Sequence, residues 1–133
     1  MADHPQNLDE AIDAVEEAYE FMLAYAAQGR RNGDDDTGTG IRERLQRSEF
    51  SLGLIIKEIA AGSSARASAG AEGSECLDSV TNDAARARAA IRFVLAQKGI
   101  GSQIIDNLNA NSHVRALLTD LFLLDEALKI SGL

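Results

Sequence analysis

The sequence predicts an all-α protein, a four- or five-helix bundle with an acidic N-terminal helical hairpin. Pro5 is the only proline, and the remaining chain is rich in Ala, Leu, Glu and Arg, residues that lose little on entering a helix. Runs of alternating β-branched and aromatic residues, the mark of strands, do not occur. Apolar residues instead recur at three-and-four spacing along several segments. At 133 residues the whole chain, 1–133, reads as one domain, long enough to bury a core without disulfides or metals.

The first helix is predicted from Leu8 to Gln28. Asn7 is its N-cap, Glu10 three residues on fits a capping box, and Asp9 and Glu10 suit the positive end of the helix dipole. Leu8, Ala11, Ile12, Val15, Ala18, Tyr19, Met22, Tyr25 and Ala26 form its apolar stripe. Gly29 is the stop, and the residues from Asn32 to Gly40, with three glycines and no apolar side chain, form a turn. The second helix is expected from Ile41 to Ala61, with Ile41, Leu45, Ser48, Leu52, Ile55, Ile56 and Ile59 inward. Gly53 inside it costs about 1 kcal/mol against Ala, and its small size suits a close helix approach.

Residues 62–75, rich in Gly, Ser and Ala, read as a flexible internal linker. The third helix is predicted from Leu77 to Lys98, with Leu77, Val80, Ala84, Ala87, Ile91, Val94 and Leu95 on its stripe. Ser102 is expected to cap a short helix ending near Leu108, and Ser112 a last helix from His113 to Ile130. The last helix has Val114, Leu117, Leu118, Leu121, Leu124 and Leu128 on one face, with Phe122 and Leu123 beyond it. An apolar surface that wide is either central in the bundle or shared with a second subunit, and it predicts a homodimer of two-fold symmetry. Tyr19, Met22, Tyr25, Phe50, Phe93 and Phe122 are the large side chains expected at core or interface positions.

Charge is distributed unevenly. Met1 to Gly40 holds ten acids against Arg30 and Arg31, while residues 41–133 hold eleven acids and eleven bases. The net charge of −8 therefore belongs to the first forty residues. Asp9, Asp13, Glu16, Glu17 and Glu20 fall at three and four spacing on one side of the first helix, where each like-charge pair costs a few tenths of a kcal/mol. Such a stripe is a solvated face, or is neutralised by Arg42, Arg44 and Arg47 or by Arg86, Arg88 and Arg92, or docks a basic partner. The acidity argues against nucleic acid, whose phosphates require concentrated Lys and Arg.

Motifs for catalysis or cofactors are weak. Cys76 is the only cysteine, which excludes an intramolecular disulfide and a cysteine-rich zinc site. Glu75 beside it raises rather than lowers a thiol pKa, against an activated nucleophile. A di-iron bundle needs Glu-x-x-His pairs, and none occurs. Asn32, Asp34, Asp36 and Glu43 fit positions of an EF-hand frame, but Thr37 stands where the turn needs Gly. Histidine phosphotransfer modules follow a mid-helix histidine with Lys-Gly, whereas Val114 and Arg115 follow His113 at a helix start. Gly99-Ile100-Gly101-Ser102 could hold an anion at a helix start but lacks a preceding strand, so a tight turn is the better reading. No metal and no cofactor is therefore expected. The amino-terminal sequence has no signal-peptide pattern and no apolar stretch is long enough to span a membrane, which predicts a cytoplasmic protein with no membrane contact.

The expected function is a non-enzymatic interaction protein: a small acidic adaptor, regulator or chaperone-like module that binds another, basic protein through helix faces. Asp9, Asp13, Glu16, Glu17, Glu20, Leu121, Phe122 and Leu128 are the expected partner-binding residues. The alternative is a small-ligand bundle, or an enzyme with an interhelical pocket, for which Arg92, Asn107 and Asn109 are the nearest polar candidates. A calcium-dependent switch over Asn32–Glu43 is the third.

Overall fold

A computed structural model describes residues 4–31, 38–111 and 113–128. Five helices follow one another: α1 (Leu8–Ala26), α2 (Ile41–Ala61), α3 (Ser63–Leu95), α4 (Ser102–Ala110) and α5 (His113–Leu128). The chain is all-α, and the described residues contain no strand. α1 packs on α2, α2 on α3 and α3 on α5, and α5 closes the ring with a narrower seam against α1. The short α4 lies mainly on α1.

The predicted stripes fill the core. Val15, Met22 and Tyr25 of α1 meet Ile41, Leu45, Leu52 and Ile55 of α2, Val80, Ala84 and Ile91 of α3, and Leu117 and Leu121 of α5 in one buried cluster. Burial of this much aliphatic surface is the main driving force of the fold. α1 starts as its sequence demands: the Glu10 amide donates to the Asn7 side chain at 2.9 Å. Glu10 reaches back as in a capping box, but it accepts from the Gln6 amide, one residue before the cap, at 3.2 Å.

Two expectations about the elements are corrected. Helix α3 starts at Ser63, not Leu77, so residues 63–75 are helical on both sides of a break at Gly70. Gly70 has φ +74°, a conformation that bends the chain and that a side chain resists. Gly101, not Ser102, is the N-cap of α4. The Ser102 hydroxyl instead donates to the Tyr25 carbonyl at 2.7 Å and accepts from the Arg30 amide at 2.9 Å. With the Tyr25 hydroxyl bonded to the Ile100 carbonyl, these bonds fasten the end of α1 to the start of α4. Of the large side chains expected at core or interface positions, Met22 and Tyr25 are buried in the core, Tyr19 is partly buried against it, and Phe50, Phe93 and Phe122 stay substantially exposed. The Phe50 ring is covered in part by His4, with ring centroids 4.4 Å apart. Ser112, expected to cap α5, lies outside the described residues.

Candidate functional site

The amphipathic pattern of α1 sets its acids opposite its core stripe. Asp9, Asp13, Glu17 and Glu20 are exposed and Glu16 is half-buried. The cations of the fold answer only a small part of that charge. Arg47 at the first turns of α2 reaches Glu17, 2.8 Å away. Arg42 turns the other way and donates to three carbonyls at the end of α3: Leu95 at 3.0 Å, Gln97 at 2.6 Å and Lys98 at 2.8 Å. The Arg44 guanidinium lies 4.9 Å from the centroid of the Phe21 ring. On α3, Arg88 and Arg92 both address Glu49 of α2, at 2.7 and 3.5 Å. Of the five acids, Glu17 is the one held by an ion pair among the described residues.

α5 divides cleanly. Val114, Leu117, Leu118, Leu121 and Leu124 are buried. Leu121, one of the expected partner-binding residues, is fully buried in the core. Phe122 and Leu123 on the opposite side are 49% and 60% exposed. The side chain of Leu128 lies outside the described residues.

A third feature is an apolar groove of about 270 Å³ between α3 and α4. Ala90, Phe93 and Val94 form one wall, and Ile104, Asn107 and Leu108 the other. Phe93 stands 70% exposed at its rim. Asn107, a sequence candidate for a ligand pocket, lines it, while Arg92 is instead drawn to Glu49. Asn109 is not part of the lining; its amide oxygen and nitrogen are buried without a hydrogen-bond partner. A more polar depression of about 330 Å³ lies at the start of α4, between Arg30, Ser102 and Gln103. Asp106 also borders it, which opposes an anion there.

The remaining candidates bring little together. No group of three or more His, Cys, Asp or Glu able to hold a metal occurs among the described residues. Asn32, Asp34 and Asp36 lie outside them, as does the side chain of His113, and Glu43 is exposed in the first turn of α2. The Cys76 thiol is pushed up from its ordinary pKa, first by burial and then by the carboxylate of Asp120 on α5, not by Glu75. A thiol held protonated in this way is a poor nucleophile. No described helix is long and apolar enough to cross a membrane.

These features define an all-helical bundle with two unlike exposed faces, one acidic on α1 and one apolar on α5, and a separate groove between α3 and α4. Comparison with protein-family models, curated proteins and solved structures returns no match. The groove is not legible in the sequence, because only the packing of α4 on its neighbours brings residues 90–94 beside 104–111. The one available signal is Phe93, which stands off the stripe set by Ile91 and Val94.

Proposed function

We propose that this chain is a non-enzymatic interaction protein of the cytoplasm, an adaptor, regulator or chaperone-like module that binds a basic protein partner and pairs with a second copy of itself. One observation carries the reading. The core side of α5 is already buried, yet adjacent Phe122 and Leu123 remain about half exposed, as an interface residue is before its partner arrives. The acidic face of α1 supplies the chemistry of the other partner. Arg42, Arg44, Arg88 and Arg92 are engaged elsewhere, so most of that charge is left to face solvent. Exposed acids of this kind steer a basic partner and raise its association rate more than its final affinity. A net charge of −8 repels nucleic acid.

The test is retention of proteins from the native cell on the immobilised chain, together with sedimentation equilibrium of the chain alone. A basic partner is expected to leave the column as salt rises, and to be missing when Asp9, Asp13, Glu16, Glu17 and Glu20 are all changed to their amides. Retention indifferent to both salt and neutralisation counts against the electrostatic half of the proposal. The α3–α4 groove supports a second reading, a small apolar ligand seated against Phe93 with Asn107 beside it. A melting temperature raised by an aromatic or acyl compound in wild type but not in Phe93→Ala would favour that reading instead.

A further inference from the structure

Helix α2 carries an aromatic ring on the side away from the core. Ile41, Leu45, Leu52, Ile55 and Ile59 are buried on one face of that helix. Phe50 stands midway between Ile41 and Ile59 in sequence, and at about 100° per residue it falls directly opposite that face. Gln46 and Lys57, on the same side, are exposed. Phe50 itself is only 42% exposed. A segment that precedes the first helix supplies part of its cover. The His4 ring lies 4.4 Å from the Phe50 ring, centroid to centroid, with the planes 31° apart. Pro5, the next residue, is buried although it lies outside any helix. Gln6 joins this arm to α1, its amide donating to Glu10 Oε1 at 3.2 Å.

We propose that residues 4–6 are an autoinhibitory strap over a docking point on α2 centred on Phe50. An extended segment that presents a planar ring next to a proline takes the strap's place when it lifts. The arm seated there supplies the chemistry of that partner. A ring packs on the exposed ring of Phe50, and proline lies in the extended form at little entropic cost, because its φ is already fixed. The fastening is light: His4 and Gln6 are exposed, and the Gln6–Glu10 bond is open to solvent. The strap still has the advantage of attachment, since a short tether holds it at an effective concentration in the mM range. A partner displaces it only by adding contacts elsewhere on the molecule. This device goes beyond the basic partner and the self-association proposed above and depends on neither.

An NMR titration of the full chain tests the strap, with a capped tetrapeptide copying residues 4–7 as the probe. In His4→Ala, and in His4→Ala with Pro5→Gly, the peptide is expected to move the Phe50 ring signals and to saturate in the mM range. In wild type the resident arm competes, and the same peptide is expected to bind about tenfold more weakly. A peptide with Ala and Gly in place of its His and Pro is expected to move nothing. His4→Ala trims only an exposed side chain, so it serves alone if Pro5→Gly disturbs folding. In wild type the His4 ring signals are expected to differ from those of the free peptide and to return to them in Phe50→Leu. Equal peptide affinity for wild type and the variants means that the arm occludes nothing and overturns the proposal. It is overturned as well by Phe50 signals that stay unmoved in the variants, or by His4 signals indifferent to Phe50→Leu.

Discussion

Arg42, Arg44 and Arg47 lie within six residues of one another on the first turns of α2 and do three different things. Arg47 meets Glu17, Arg44 covers Phe21, and Arg42 collects the carbonyls of Leu95, Gln97 and Lys98. The sequence shows three cations beside an acidic helix and invites one role for all. Their directions differ because successive residues turn about 100° around a helix, so the three guanidinium groups leave it on different sides. Arg42 acts where the dipole of α3 is negative and backbone acceptors lack helical partners. Arg42→Ala is expected to lower stability by about 1 kcal/mol, a figure held down by partial solvent exposure, as read from urea denaturation. Arg42→Lys is expected to recover part of it, since one ammonium keeps the charge but cannot span three carbonyls.

At the scale of elements, amphipathic spacing makes α1, α2 and the second part of α3 legible, because the same residues that recur every three or four positions are those the core buries. The first part of α3 is not legible. The composition of 62–75 joins Gly and Ser to Ala, and flexible linker and helix draw on the same residues. The break at Gly70 is a choice between helical and left-handed backbone that composition does not encode. Gly53 is a place of close approach, as its size suggests, though what approaches is a side chain. A Cβ at Gly53 would stand 3.2 Å from the guanidinium carbon of Arg88, which lies across α2 on its way to Glu49. Gly53→Ala gains about 1 kcal/mol of helix propensity but displaces a partly exposed ion pair worth less than that. The expected net change is within about 0.5 kcal/mol of zero. In an Arg88→Ala background nothing needs displacing, so the same substitution should stabilise by the full propensity gain. A denaturation cycle over the four proteins measures the difference, and equal effects in both backgrounds would show that Arg88 does not constrain this position.

At the scale of the molecule the fold class is legible because it depends on many residues at once, whereas the faces are legible only in part. The spacing places Phe122 outside the core stripe, but it leaves Leu121 eligible for both core and interface. Its neighbours permit either, and the packing of α5 between α3 and α1 decides for the core. The acidic face is visible as charge, while its lack of internal answer depends on where each arginine goes. That lack has a consequence for the free protein. Asp9 and Asp13, Asp13 and Glu17, and Glu16 and Glu20 are like charges four residues apart, so α1 carries repulsion that the fold does not cancel. Raising salt from low to physiological strength is expected to raise the melting temperature by a few degrees, because the exposed repulsions are screened. Changing Asp13, Glu16 and Glu20 to their amides, with the Glu17–Arg47 pair left intact, is expected to stabilise the chain by about 1 kcal/mol and flatten the salt response. A stability cost of this kind is compatible with a binding face, where function is commonly kept at the expense of stability. If the triple amide variant instead melts lower than wild type, those acids are held by the fold after all, and α1 ceases to be the surface on which a basic partner docks.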